Sequence, residues 1–502
     1  MTDAPAAPAE VTSPGHLWPR WIFLRALGLI FFSAFFSLAF QIYGLVGVLG
    51  ILPARDYLQQ VASALGPIER FWYSPTVLWL GAGDGALRAV VAAGLVVSVL
   101  LTLNVRPRLM VGLCTILFLS CIAVLQDFSS YQSDGMLLEA GFVSVFFAPR
   151  GTFPGLGAID PPSRFSRFML EWEWFRIYFE SGVVKLASGD QHWRNLTAMD
   201  EYYQNGPLPS WIGWYVQHLP HWFHASVVVF TLLVELVLVW FVFGNRRKRL
   251  FCFFVVTALQ ISIILTANYA FLNYLVLCLG FLLLDDGYLT RMGLHPVRSV
   301  ERERSVRTLV RKRIEVGVLS FTLYATVLAF FAGGLPSILT LPTRALEPFR
   351  FANSYGLFAM MTEQRYEIEF QGSNDGRTWI AYPFRYKPQN VRERPGFFAP
   401  YQPRFDWNLW FASLGPWSQS PWVVLAEQRL VEGSNSVIAL FRGDPFNGKP
   451  PKMVRTVLWQ YWFTDMQTME RTGQWWKRQL IGPYAPPVMR GIDGRIVIGA
   501  VP

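Results

Sequence analysis

From the first tryptophans to about residue 331 the chain alternates long apolar runs with short polar connections, and after residue 341 that alternation stops. The runs lie near residues 21–43, 89–104, 109–125, 135–147, 168–197, 223–243, 250–266, 271–284 and 316–331. A bilayer-crossing helix needs roughly 20 mostly apolar residues, so most of these runs read as membrane spans. Arg25 interrupts the first run, close enough to its end to snorkel to the interface. Residues 44–88 mix Gly, Pro and aromatics around one short amphipathic piece and read as an interfacial loop. Beyond residue 341 the periods are shorter. Tyr366-Glu-Ile-Glu-Phe370 alternates with period two, the pattern of a half-buried strand. Ser373-Asn-Asp-Gly376 supplies a turn, and residues 378–386 return as a second strand. Residues 406–414 and 421–431 read as short amphipathic helices, and residues 453–463 as a long aromatic-rich strand.

These patterns predict a polytopic α-helical membrane protein of about nine transmembrane helices, with a C-terminal exported α+β or β-sandwich-like domain. The expected divisions are a polar, disordered tail at 1–17, a transmembrane helical domain at 18–335 and a soluble domain at 336–502. The first run is too long, and lacks the cleavage context, for a removable signal peptide, so it is expected to stay as an anchor. Nine crossings from a cytoplasmic N-terminus put Arg106/Arg108, Arg150/Arg164/Arg167, Arg246 to Arg249 and Arg291 to Arg313 on one side. The loops 44–88, 126–134 and 188–221, and the whole tail, then face the other side.

Composition narrows the class. Of 502 residues, 52% are hydrophobic and only 16% charged, which points away from a soluble enzyme. The net charge of +10 does not point to nucleic acid, because the basic residues sit mostly in short loops between apolar runs. Cys114, Cys121, Cys252 and Cys278 all fall within apolar runs and form no metal or redox spacing. No nucleotide, dinucleotide or hydrolase motif is present, so no cofactor is expected. His218, His221 and His224 recur every third residue, but Pro220 breaks the helix between them, so they read as interfacial residues rather than metal ligands.

Charge inside the apolar runs is where chemistry could sit. Gln126, Asp127, Asp134, Glu139, Glu173, Arg176, Glu180, Lys185, Asn268 and Asn273 form an expected intramembrane polar cluster. Such groups are costly at bilayer depth and must meet protein, water or one another. At 3.6 residues per turn Glu173, Arg176 and Glu180 share a face, so Arg176 is expected to pair with one of these two carboxylates. Lys185 lies off that face and needs a partner on another helix; an ammonium in an apolar site can also serve as a base. Asn195-Leu-Thr197 fits a glycosylation acceptor on the exported side. The aromatic-rich tail could present a surface for partly folded protein or lipid.

Long segments then carry a likeness. FESGVVKLASGDQHWRNLTAMDEYYQNGPLP, QDFSSYQSDGMLLEAGFVSVFFAP, TANYAFLNYLVLCLGFLLLDD, FANSYGLFAMMTEQRYEIEFQGSNDGRTWIAYPFRYKP and DPFNGKPPKMVRTVLWQYWFT closely resemble the lipase maturation factor family. The resemblance implies a membrane-resident chaperone that assists maturation of secreted client proteins, by name lipases. Trp193, Arg194 and Asn195 carry its exported motif. The expected location is the endoplasmic reticulum membrane in a eukaryote, or the inner membrane with a periplasmic C-terminal domain in a bacterium. A shorter likeness, YFESGVVKL followed by a Trp, is similar to a segment of the vitamin K-dependent carboxylase family. It implies an alternative, an embedded enzyme on a lipid or quinone-like substrate with Lys185 as base. Otherwise no catalytic residue is expected, and membrane lipid is the further partner.

Overall fold

A computed structural model describes residues 15–129, 131–296, 306–331, 336–491 and 493–499. The polar tail to residue 14, much of the basic segment before the last run, and residues 332–335 beside the expected domain boundary lie outside that set. Among the described residues each of the nine expected runs is helical: α1 (Leu17–Ala39), α2 (Asp84–Thr102), α3 (Pro107–Ile122), α4 (Gln132–Phe147), α5 (Arg164–Ala187), α6 (His221–Leu236), α7 (Arg246–Thr266), α8 (Leu272–Gly280) and α9 (Val306–Phe331). Five are long and apolar enough to cross a membrane: α1, α2, α7, α6 with its 3-10 extension to Phe243, and residues 309–331 of α9. Helices α3 and α4 have 16 residues each and α8 has nine, while α5 has 24 but is charged along its length. Length and apolarity therefore support five spans and do not by themselves establish nine.

Local chemistry sets the helix ends. The first backbone N–H groups of α1 donate to a carboxylate from the far side of the bundle: Leu17 and Trp18 to Asp286, at 3.0 and 2.8 Å. This cap fixes the start of α1 against the segment after α8. Pro107 opens α3 where its missing N–H costs nothing. Ser163 caps α5, and Asn245 caps α7 through the Lys248 N–H at 3.1 Å. The bundle core is aromatic: Phe31 and Phe35 meet the Phe118 ring edge to face, and Phe118 reaches Phe271 of the α7–α8 connection. Residues 44–83 hold only short helices, and the next long helix starts at Asp84, inside the loop expected over 44–88.

The C-terminal part is built on strands β1 (Arg365–Ser373), β2 (Ile380–Ala381), β3 (Met453–Phe463), β4 (Trp476–Pro483), β5 (Val488–Arg490) and β6 (Ile496–Ile498). All pairings are antiparallel in the order β2-β1-β3-β5-β6, with β4 also on β3. The expected long strand is present, and the expected hairpin is present with its second strand, expected over residues 378–386, cut to Ile380–Ala381. The described strands make one six-stranded sheet, so a sandwich is not formed by them; helices α10 (Arg404–Ala412) and α11 (Trp422–Glu432) take the place of a second sheet. β1 departs from a half-buried strand. Its apolar face, Ile368 and Phe370, is buried, and so are Glu367 and Glu369 on the opposite face. Those two carboxylates are sheltered because cations sit over them: Glu367 pairs with Arg365 and with Lys387 at 2.6 Å, and Glu369 with Arg478 at 3.2 Å.

Candidate functional site

Helix α5, roughly 36 Å long from its 24 residues, threads the bundle and carries charge at three levels. At its first turns Glu171 pairs with Arg167 at 3.4 Å and with Arg249 of α7 at 2.7 Å. At mid-length Arg176 turns away from both carboxylates of its own helix. It pairs with Glu139 of α4 and donates to the Asn353 carbonyl at 2.5 Å. This corrects the expected pairing along the helix. An on-helix ion pair is worth only a few tenths of a kcal/mol, whereas two acceptors from outside α5 satisfy a buried guanidinium more completely. Glu173 is fully buried and forms no ion pair among the described residues.

The outside acceptors belong to residues 351–362, a coil that runs from the helical part to β1 and lies along α5 as a strap. Glu139 accepts from the Asn353 side chain at 3.1 Å and from the Tyr355 hydroxyl at 2.9 Å. Glu180 accepts from the Tyr355 N–H at 2.6 Å, and the Ser181 hydroxyl from the Leu357 N–H at 3.2 Å. Beyond the helix end Ser188 donates to the Ala359 carbonyl at 2.8 Å, and Asp190 accepts from the Met361 N–H at 2.6 Å. Phe351 stacks on Phe142 at 4.2 Å between centroids. The charges of α4 and α5 thus satisfy the backbone of an irregular segment that would otherwise carry unmet donors into an apolar bundle.

The third level is Lys185. Its ammonium donates to both oxygens of Glu235 on α6, at 2.8 and 2.9 Å, and lies 5.1 Å from the Trp193 ring centroid. The partner on another helix is as expected. Gly182 makes the approach feasible, since a Cβ there would come within 2.9 Å of Glu235 and Leu236. Beside the pair lies a cavity of about 220 Å³ lined by Tyr178, Trp193, Thr231 and Gln260 among mainly apolar residues. On its wall Asn273 donates to Gln260 at 2.6 Å and Gln260 to the Tyr178 hydroxyl at 2.7 Å.

The remaining expected residues separate from this line. Asp134 forms a two-toothed pair with Arg404 of α10 at 2.8 and 2.7 Å, with both side chains fully buried. Asn268 accepts from the Phe398 N–H at 2.7 Å and donates to the Gly396 carbonyl at 2.9 Å, stitching the α7–α8 connection to the C-terminal part. Gln126 donates to the Leu52 carbonyl at 3.1 Å, and Asp127 lies exposed beside it. Trp193 donates to the Phe358 carbonyl of the strap at 3.0 Å; Arg194 and Asn195 lie on the surface. The three histidines go separate ways, His218 to backbone carbonyls of Trp214 and Thr464, His221 to Asp200, and His224 to the Leu219 carbonyl.

The single expected cluster is therefore several contacts, most of which join helices to the strap or to the C-terminal part. Sequence reasoning missed Glu235, Arg404, Asn353, Tyr355 and Gln260. Glu235 was visible as the one acid in its apolar run. Arg404, Asn353 and Tyr355 lie in water-soluble-looking sequence, where nothing marks them as partners of bundle charges.

Two family profiles match the chain, the lipase maturation factor transmembrane domain over residues 18–291 and the lipase maturation factor C-terminal domain over residues 351–486. Among curated proteins it is similar to lipase maturation factor 2 of Gallus gallus, 32% identical over 95% of this chain and 82% of that protein. Lipase maturation factor 2 of Homo sapiens is 32% identical over 95% and 83%. Lipase maturation factor 1 of Bos taurus is 30% identical over 97% and 92%. These comparisons give no support to the carboxylase-type alternative. No solved structure matches.

Proposed function

Because the chain belongs to the lipase maturation factor family, we propose that it is a membrane-resident factor that assists maturation of a secreted lipase. The observation that carries this reading is that the likeness covers the helical part, the strap and the sheet together, so the whole architecture is shared with proteins of that name. In this reading α3, α4, α5 and α8 also cross the membrane, giving nine spans. The basic clusters then lie in the cytoplasm and the sheet part, residues 336–502, on the exported side. The vertebrate source of these relatives favours the endoplasmic reticulum and lends no support to a bacterial inner membrane.

The contact with client is assigned to the sheet part. Strand β4 pairs on one side with β3, and from Lys477 to Pro483 no described strand covers its other side. Leu480 and Ile481 on it are half exposed. An open edge with apolar side chains suits strand addition by an incompletely folded chain. The test is secretion of active lipase from cells that depend on this protein. Removing residues 334–502 should abolish it, and Leu480→Asp/Ile481→Asp should lower it several-fold at unchanged protein level. Full lipase activity with the sheet part removed would refute the assignment.

A further inference from the structure

At the end of the bundle opposite the sheet part, a groove between α3 and α4 combines three arginines with an apolar channel. Arg20 of α1 is fully buried and donates to the carbonyls of Asp160, Leu156 and Gly157 at 2.7, 3.0 and 2.9 Å. That clamp fixes the loop after α4, so Asp160 stands 3.9 Å from both Arg108 and Arg150. Arg108 also closes the end of α4 through the Ala148 carbonyl at 2.7 Å. Arg106 is exposed and reaches Thr152 at 3.4 Å. Nearby Glu315 is held by Ser163. The three groove arginines thus face Asp160 and Glu315, which leaves a net charge of +1.

Below the arginines the groove has a volume of about 620 Å³ and is floored by Leu109, Gly112, Leu113 and Ile116, with Val145 of α4 opposite. The α3 residues fall at i, i+3, i+4 and i+7, one stripe of the helix. Leu109 and Ile116 are half exposed. Phe153 and Ile159, on the clamped loop, are more exposed still, as befits side chains at a membrane interface.

We infer that this groove is a binding site for an anionic phospholipid, its phosphate on Arg106 and Arg150 and an acyl chain along the Gly112 stripe. The charge balance selects the ligand. A phosphodiester headgroup with net negative charge meets the surplus, whereas a choline headgroup would bring another cation to a face that is already positive. A free phosphate would leave the apolar stripe unused.

Native mass spectrometry of the purified full chain, titrated with phosphatidylglycerol or phosphatidylcholine, reads the occupancy directly. One phosphatidylglycerol should bind in preference to phosphatidylcholine, and inorganic phosphate should not displace it. Arg106→Glu/Arg150→Glu should weaken binding on the order of tenfold or more. Gly112→Leu should weaken it too, by filling the channel without altering charge; a Cβ there meets only Val145, at 3.7 Å, so the fold tolerates it. Equal binding of the two lipids, displacement by phosphate, or unchanged binding in the Gly112 variant would each overturn the site.

Discussion

Asp134 and Arg404 show how much one contact can hold. Both are fully buried, and their two hydrogen bonds join α4 to α10 across 270 residues of chain. Breaking such a pair strands a buried charge, so Asp134→Asn should cost about 3–5 kcal/mol, while Asp134→Leu/Arg404→Met should recover most of it. Thermal unfolding of the purified protein measures both. Asp406, two residues further on, makes a pH-dependent prediction. Burial pushes its carboxyl up to about 6, although it accepts the Tyr386 and Lys387 N–H groups at 3.2 Å. Between pH 4 and 6 the folded state therefore binds the extra proton, and this group's contribution to stability falls as pH rises through that window. Asp406→Asn removes the titration, so its stability relative to the parent should be unchanged near pH 4 and higher by about 3 kcal/mol above pH 6. A constant difference across the window would contradict this. Asp134 stood out in the sequence as an acid beside an apolar run; Arg404 and Asp406 did not, because burial in a sheet-and-helix part leaves no period-two or period-four mark.

At the scale of elements, the nine helices were legible because apolar runs announce themselves one at a time. What α5 does was not. Its charges suggested pairing within one helix, yet Arg176, Glu180 and Ser181 are spent on the strap, and only the three-dimensional path of residues 351–362 brings those groups together. The same holds for β1, whose Glu367 and Glu369 looked like a solvent face until Arg365, Lys387 and Arg478 covered them. Lys185 is the element-level test of structure against chemistry. If its pair with Glu235 serves to dock α5 on α6, Lys185→Ala should destabilise by about 3–5 kcal/mol because Glu235 is left alone. Lys185→Met/Glu235→Leu, similar in volume and without charge, should melt close to the parent. A double variant as unstable as the single one would contradict docking through this pair.

For the whole molecule, the helical part and the sheet part are joined by more than the chain connection. The strap along α5, the Asp134–Arg404 pair and Asn268 hold the sheet against one end of the bundle, and no described strand covers the outer side of β4. The basic groove lies at the other end. In the proposed account the membrane helices set the position of a client-binding sheet, and the charges buried among them are structural. The most direct test is the specific activity of a secreted lipase made in cells whose only copy of this protein is Lys185→Met/Glu235→Leu, at matched protein level. The account predicts activity close to that with the parent chain. A stable, correctly inserted double variant that yields inactive lipase would contradict it and return Lys185 to chemistry.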